Sequence, residues 1–167
     1  MERREFIQRG AALVGAAGLI GVDAAPVFAQ GQPPAAKRPD PPASISEAER
    51  IGRREKAQTL MKQLGVSAML IEPGANMLYF TGMEWGRSER LFAFLLPQSG
   101  KGIVVSPAFE EQRGADQVNG RFEMRVWQED ENPEVLIASV LKDWGASTGK
   151  LAVDGSARTF VYNALAV

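Results

Sequence analysis

The sequence contains neither cysteine nor histidine among its 167 residues. The lack of cysteine excludes disulfides, thiolate nucleophiles and cysteine-based zinc sites. The lack of histidine removes the commonest general base and the commonest transition-metal ligand. Any chemistry performed by this chain would have to use carboxylates, hydroxyls, lysine or arginine. The composition therefore argues against a self-contained hydrolase.

An excess of charge of one sign is also missing. Lysine and arginine number 19 against 20 aspartates and glutamates, which gives a net charge of -1 and a sequence pI near 5.6. No basic field is available to hold a phosphate backbone, so a nucleic-acid partner is not expected. The hydrophobic content of 45% is ordinary and favours one modest globular domain over extended disorder.

Residues 1–29 have the layout of a cleavable export signal. Their arginine-rich start is followed by an apolar stretch over residues 10–22 and by small residues up to Ala29, where we expect cleavage. The apolar stretch is too short and too rich in glycine to span a bilayer, so no stable membrane anchor is expected. Residues 3–7 read RREFI and resemble the twin-arginine export motif, which implies a periplasmic location. The alternative is an ordinary amphipathic N-terminal helix.

Residues 30–46 contain five prolines and almost no apolar side chains. Such a segment cannot build a core and is typical of an extended linker. A plain spacer is favoured over a proline-rich ligand motif.

The folded part is predicted to begin with a helix. Ser46 and Glu49 have the spacing of a capping box, and Gly65 suits the left-handed end of a helix. One side of this helix is predicted to face the core and consists of Ile51, Ala57, Leu60, Met61 and Leu64. The other side is predicted to be a solvated basic face and consists of Arg50, Arg53, Arg54, Lys56 and Lys62.

Short apolar runs after this helix predict strands. Residues 67–72 indicate a buried strand that ends in a turn over residues 73–76, and residues 77–80 indicate a further short extended piece. Residues 91–96 and 102–106 indicate a hairpin in a sheet covered on both faces.

The second half of the folded part alternates between the same two kinds of pattern. Residues 122–127 alternate as in a strand, whereas Asn132 and Pro133 open a helix that ends before Gly145. A final strand over residues 150–154 precedes a segment that looks helical from Val161 onward. Trp127 and Trp144 are interpreted as packing residues. The predicted fold class is α/β, with a mixed β-sheet flanked by helices over residues 47–167.

Residues 76–82 read NMLYFTG and match the Asn-x-x-Tyr-aromatic/Leu-Thr-Gly signature of a known family. They resemble the N-terminal domain of creatinase, prolidase and Xaa-Pro aminopeptidase, and the order of predicted elements agrees with that domain. Within the signature, Tyr79 and Phe80 are interpreted as core residues at a strand end, where Thr81 and Gly82 make a turn.

The resemblance implies a second, catalytic domain that is absent from this chain. In the family, that pita-bread domain binds two divalent metal ions through aspartate, histidine and glutamate. Because this chain has no histidine, we assign it no catalytic residue, no metal ligand and no cofactor of its own. The apolar ending at residues 164–167 carries no cap, which leads us to expect truncation before the catalytic domain.

The loop at residues 83–90, named the rim loop, holds the candidate substrate-binding residues Trp85, Arg87 and Arg90. By resemblance, this loop lies at the rim of the active site of a neighbouring subunit in a homodimer. An arginine there could offer a planar fork to a carboxylate, and Trp85 could form a wall for a proline ring. In the alternative, Trp85 anchors the loop and the arginines pair locally with Glu84 and Glu89.

These observations predict the exported N-terminal, non-catalytic domain of a Xaa-Pro aminopeptidase or prolidase-like metallopeptidase. Its expected partners are its own catalytic domain, a second subunit and small proline-containing peptides, and the chain alone is expected to be inactive. Two alternatives remain open. One is the N-terminal part of a creatinase-like amidinohydrolase, and the other is a stand-alone periplasmic binding or dimerisation module.

Overall fold

The structure is a computed structural model that describes residues 40–41 and 43–165. The predicted export signal and most of the predicted linker therefore lie outside the described residues. Residues 43–165 contain five strands and five α-helices. In chain order these are α1 (Glu47–Leu64), β1 (Val66–Ile71), α2 (Ala75–Thr81), β2 (Ala93–Pro97), β3 (Ile103–Pro107), α3 (Glu111–Val118), β4 (Glu123–Trp127), α4 (Pro133–Asp143), β5 (Lys150–Val153) and α5 (Thr159–Leu165).

The strands form one mixed sheet in the order β4-β3-β2-β1-β5. The predicted hairpin is confirmed, since β2 and β3 pair antiparallel and both are buried along their whole length. β1 pairs antiparallel with β2 and parallel with β5, and β3 pairs parallel with β4. The fold class predicted from the sequence, a mixed sheet flanked by helices, is therefore confirmed.

Two apolar clusters cover the two faces of the sheet because neighbouring strand residues point to opposite sides. Leu70 lies in one cluster with residues of α4 and α5, among them Ile137 and Val161. Ile71 lies in the other cluster, with Met77 of α2 and Val118 of α3. The result is a sheet between two helical layers.

Helix α1 has the predicted ends, but only part of its predicted inner face contacts the core. The backbone N–H of Glu49 donates to the Ser46 hydroxyl at 3.2 Å, and Gly65 ends the helix with a φ of 66°. Of the predicted core side, Met61 is buried and Ala57 packs against the core, whereas Ile51, Leu60 and Leu64 are exposed. The periodicity was wrong at these three positions because arginines, as described below, hold much of the inner side of this helix.

Two short helices differ from the prediction. Residues 77–80 of the signature are predicted as a short extended piece, but they lie in helix α2, which is capped by Gly82 with a φ of 74°. Met77 and Thr81 are buried one turn apart on its inner side. Phe80 packs against the core as predicted, while Tyr79 is 47% exposed and is not a core residue. Helix α3 was not predicted at all.

The later elements follow their sequence signals. Asn132 caps α4 by accepting from the backbone N–H of Glu134 at 2.9 Å, with Pro133 in the first turn. The Trp127 indole N–H donates to the carbonyl oxygen of Leu91 at 3.0 Å in the core, and Trp144 packs against the same cluster. Both predictions of packing tryptophans are confirmed.

Candidate functional site

The rim loop lies against the carboxyl ends of β1 and β5. These two strands are parallel neighbours, so the residues that follow them meet at one edge of the sheet. Glu72 and Pro73 follow β1, and Asp154, Ser156 and Arg158 follow β5. We call these five residues the sheet-end cluster.

A buried ion pair forms the base of the sheet-end cluster. Glu72 is fully buried, and one of its carboxylate oxygens accepts from Nε and Nη2 of Arg158 at 2.8 and 2.6 Å. The other oxygen accepts from the backbone N–H of Arg158 at 2.7 Å. Burying a carboxylate without such partners would cost several kcal/mol, so this pair depends on its full set of bonds.

The same arginine also contacts the backbone of the rim loop. Arg158 donates through Nη1 to the carbonyl oxygen of Ser88 and through Nη2 to that of Arg90, the latter at 3.4 Å. The backbone N–H of Arg90 in turn donates to the Ser88 hydroxyl at 3.2 Å. The buried ion pair therefore supports the part of the loop that contains both candidate arginines.

Arg87 is exposed at the surface but is held at two points. Its Nε donates to the carbonyl oxygen of Pro73 at 2.9 Å, and its Nη2 donates to the Ser156 hydroxyl at 2.7 Å. These contacts differ from the alternative in which Arg87 pairs with Glu84 or Glu89. The guanidinium is fixed to both sides of the sheet end, and it has further N–H groups for a ligand.

Asp154 connects the sheet-end cluster to the signature. Its Oδ1 accepts from the Asn76 side-chain amide at 2.9 Å and from the backbone N–H of Ser156 at 3.0 Å. Its Oδ2 accepts from the Ser156 hydroxyl at 3.0 Å. Asn76, the first residue of the signature, thus helps to place the segment that holds Arg87.

Trp85 lies inside the protein rather than on its surface. The indole is 7% exposed and stacks on Phe92, with ring centroids 4.0 Å apart and an interplanar angle of 12°. The Arg113 guanidinium lies over the indole at 4.1 Å. This position fits a loop anchor, and contact of Trp85 with a substrate stays a prediction.

Arg90 already has an acidic partner on the surface. Its Nη2 lies 2.7 Å from a carboxylate oxygen of Glu129, and its guanidinium lies 5.5 Å from the centre of the Phe109 ring. Because its charge is compensated in this way, Arg90 is less suited than Arg87 to bind an anion.

A shallow cavity of about 360 Å³ adjoins the rim loop. Its lining comes from the start of α2 and from the rim loop itself, namely Gly74, Ala75, Leu78, Met83, Glu84, Trp85 and Gly86. Arg87 lies beside it, since a Cβ built on Gly74 would be 3.9 Å from Nη2 of Arg87. A small ligand seated there would have one fixed cation next to it.

A second group of arginines, which we call the arginine cluster, consists of Arg50, Arg53, Arg54 and Arg121. These residues contact the carboxyl end of α2, where the last carbonyl oxygens of a helix lack partners within the helix. Arg53 donates to the carbonyl oxygen of Tyr79 at 3.0 Å, Arg54 to that of Phe80 at 2.6 Å, and Arg121 to that of Thr81 at 2.6 Å.

The arginine cluster corrects the prediction of a solvated basic face on α1. The side chains of Arg50, Arg53 and Arg54 are only 20%, 16% and 13% exposed. Cations at the carboxyl end of a helix also interact favourably with its dipole. These arginines therefore have a structural role, whereas Lys56 and Lys62 are exposed as predicted.

Glu47 balances the charge of the arginine cluster. It accepts from Arg54 at 2.8 Å and from Arg121 at 3.1 Å. Partial burial alone would raise the pKa of Glu47, but the hydrogen bonds and positive charges of Arg54 and Arg121 outweigh that effect. The net result is a pKa below the ordinary value of 4.5.

The described residues do not form a metal centre. Within residues 40–41 and 43–165, no group of three or more acidic, histidine or cysteine side chains could hold an ion. The two divalent ions implied by the resemblance have no fitting ligand set in that part of the chain. None of the helices described there is both long enough and apolar enough to cross a membrane.

Comparison with known proteins finds a matching domain family and a related peptidase. Residues 53–166 match the family described as Creatinase/Prolidase N-terminal domain. An uncharacterized peptidase of Schizosaccharomyces pombe is 29% identical over 136 residues, which cover 73% of this chain and 29% of that protein.

Among solved structures, a prolidase from Thermococcus sibiricus is 28% identical with a TM-score of 0.61, covering 72% of this chain and 32% of that one. A dipeptidase from Mycobacterium ulcerans is 25% identical with a TM-score of 0.65, covering 75% of this chain and 34% of that one. This chain thus spans about a third of the length of these relatives. The N-terminal domain of a Xaa-Pro dipeptidase from Lactobacillus brevis, 22% identical with a TM-score of 0.61, shares the fold over 68% of this chain and 85% of its own length.

Proposed function

Because the chain belongs to the creatinase/prolidase N-terminal domain family, we propose that it is the non-catalytic N-terminal domain of a longer proline-specific peptidase. The parent protein hydrolyses a peptide bond next to proline in a part that lies outside these 167 residues. Two divalent metal ions would supply the activated water there. This chain alone then has no peptidase activity.

In this proposal the rim loop binds the carboxylate of a small proline-containing peptide in the active site of a second subunit. The observation that supports the role is the arrangement of Arg87, which is exposed, fixed by Pro73 and Ser156, and next to a shallow cavity. A planar guanidinium held in this way matches the geometry of a carboxylate. Arg90, through Glu129, and Trp85, through Phe92, support the loop.

We further propose that the parent protein is exported. Residues 1–29 would direct it to the periplasm through the twin-arginine route, and residues 30–46 would separate the folded domain from that signal. The intact mass of the native protein tests this point. A mature N-terminus near residue 30 supports export, and an uncleaved N-terminus contradicts it.

The role of the rim loop is tested by Arg87→Ala in the full-length protein. We expect KM for a Xaa-Pro dipeptide to rise about tenfold or more with little change in kcat. The reason is that the contact to the carboxylate is equally strong in the bound substrate and in the transition state. Arg125→Ala is the matched control, since Arg125 is a surface arginine that pairs with Glu123 and Asp143.

A substrate with an amidated C-terminus sharpens the same test. If Arg87 binds the carboxylate, the wild-type enzyme has a higher KM for the amidated substrate than for the free dipeptide. Arg87→Ala then causes no further rise in KM for the amidated substrate. Equal kinetics of Arg87→Ala and wild type on the free dipeptide would overturn the rim assignment. A native protein of only this length, with no downstream catalytic sequence in its gene, would favour the binding-module alternative instead.

A further inference from the structure

The Ser156 hydroxyl lies between Arg87 and Asp154 and bonds to both. It donates its proton to Oδ2 of Asp154 at 3.0 Å and accepts from Nη2 of Arg87 at 2.7 Å. A serine hydroxyl has one proton and two lone pairs, and an ionised carboxylate can only accept. The carboxylate therefore determines the direction of the chain of bonds and leaves a lone pair of Ser156 for Arg87.

Asp154 is itself fixed by two other donors. Its Oδ1 accepts from the Asn76 side-chain amide at 2.9 Å and from the backbone N–H of Ser156 at 3.0 Å. Both donors are placed by elements of the fold, namely the first turn of α2 and the turn after β5. With the Ser156 hydroxyl as a third donor, both oxygens of the carboxylate are used and its plane is fixed.

From this geometry we infer that Asp154 and Ser156 are positioning residues for Arg87. Together with the carbonyl oxygen of Pro73, which accepts from Nε at 2.9 Å, they set the plane of the guanidinium before any ligand arrives. A cation ordered in advance binds a carboxylate with less loss of side-chain entropy than a mobile one. The identity of the ligand rests on the proposed function, whereas the positioning of Arg87 does not.

The positioning is tested on the 167-residue chain by nitrogen-15 NMR. The measured quantity is the rate at which the Arg87 Nη2–H protons exchange with water, because Nη2 is the group that donates to Ser156. The signal is assigned by its loss in Arg87→Lys. We expect Ser156→Ala to accelerate this exchange about tenfold, since a charge-assisted hydrogen bond that holds the guanidinium is lost. Ser156→Thr keeps the hydroxyl and is expected to retain the slow rate.

Ser139→Ala is the matched control, because Ser139 is an exposed serine on α4 whose hydroxyl donates to the carbonyl oxygen of Leu136. We expect no change of the Arg87 signal in that variant. An unchanged exchange rate in Ser156→Ala would overturn the inference.

Asp154→Ala tests whether Asp154 acts on Arg87 through Ser156. Alanine offers no acceptor to the Ser156 hydroxyl, so the hydroxyl proton is no longer held away from Arg87 and the lone pair used by the guanidinium is no longer fixed in direction. We expect Arg87 to exchange faster in Asp154→Ala although Ser156 is intact. Slow exchange in this variant would show that Asp154 does not act through Ser156.

Kinetics of the full-length peptidase separate this inference from the proposed function. If both are right, Ser156→Ala raises KM for a Xaa-Pro dipeptide at least about threefold and leaves kcat unchanged, and Ser156→Thr restores KM. Faster exchange of Arg87 with an unchanged KM would support the positioning and contradict the role of Arg87 in substrate binding.

Discussion

The arginine cluster and the sheet-end cluster use the same side chain in opposite ways. At the carboxyl end of α2, several arginines that are each partly exposed share the last carbonyl oxygens of one helix. At the sheet end, Arg158 alone neutralises the fully buried Glu72 and also holds the rim loop. The first arrangement distributes its interactions, and the second concentrates them in one pair.

This difference teaches which arginines the fold can lose. A distributed cluster keeps most of its bonds when one member is removed, and water can replace a lost donor at an exposed residue such as Tyr79. A single buried pair has no substitute. The number of arginines in a segment therefore says little about its sensitivity, whereas the burial of the partner decides it.

The largest expected effect comes from Arg158→Leu. Removal of the guanidinium leaves the Glu72 carboxylate buried without its partner, and we expect a loss of about 3–5 kcal/mol in the free energy of unfolding. Arg53→Leu in the arginine cluster is expected to cost about 1 kcal/mol or less, because its partners Glu49 and Tyr79 are exposed to water. Urea denaturation of both variants measures the contrast.

The double variant Glu72→Leu with Arg158→Leu is the control for this prediction. It removes the unpaired charge together with its partner, so we expect it to be more stable than Arg158→Leu alone. Similar losses in Arg158→Leu and Arg53→Leu would contradict the distinction between concentrated and distributed interactions.

A smaller effect is expected at the two glycines that end α1 and α2. Gly65 and Gly82 both have a positive φ, 66° and 74°, so alanine at either position costs about 1–2 kcal/mol of backbone strain. A Cβ at Gly82 would also lie 2.6 Å from Cζ of Arg50, whereas nothing lies within 4 Å at Gly65. Gly82→Ala should therefore be the more destabilising of the two.

The Arg50→Ala background identifies the cause of that difference. Without the guanidinium over Gly82, the two glycine substitutions should lower the melting temperature by similar amounts. If Gly82→Ala stays the more harmful in this background, the packing of Arg50 is not the reason.

The smallest expected effect is the contribution of Glu47 to the pH dependence of stability. The pKa of Glu47 is lowered in the folded protein, so its contribution to stability is present above the ordinary value of 4.5 and is lost as the pH falls through the lower folded pKa. Wild type should exceed Glu47→Gln in stability near neutral pH, and the difference should shrink below about pH 4. Urea midpoints across this range measure it.

Removal of the two partner arginines tests the cause of the shift. In a variant that carries both Arg54→Gln and Arg121→Gln, the stability difference between glutamate and glutamine at position 47 should no longer shrink as the pH falls. An acid dependence that survives in this background would point to another source.

The parts of the fold that were predictable have local signals. Helix α1 follows from Ser46, Glu49 and Gly65, and α4 follows from Asn132 and Pro133. The hairpin follows from two continuous apolar runs. Each of these signals acts within a few residues, so the sequence alone is enough to interpret it.

Helices α2 and α3 escaped prediction for physical reasons. Helix α2 has only seven residues, and the aromatic Tyr79 and Phe80 favour extended structure. It is held by tertiary contacts, namely the burial of Met77 and the arginines that bind its last carbonyl oxygens. Helix α3 contains Gly114 and few apolar residues, and it forms because Gly114 and Val118 pack closely against the sheet.

For the candidate site, the family resemblance points to the rim loop but not to the residues that support it. Trp85, Arg87 and Arg90 are predicted from that resemblance and their contact with a substrate stays a prediction, whereas the contacts of Glu72 and Arg158 had no signal in the sequence. These two are 86 positions apart, and no local pattern connects them. Asn76 was part of the signature, but its bond to Asp154 is a tertiary contact.

The parallel pairing of β1 with β5 has a consequence for synthesis on the ribosome. Arg87 and the serine that holds it are 69 positions apart, and Arg158 follows Glu72 by 86. The hairpin of β2 and β3 can form soon after it emerges, because its contacts are local. The rim loop cannot acquire its final geometry until the segment after β5 has been translated, so nascent chains that lack this segment should expose the loop to proteases and chaperones.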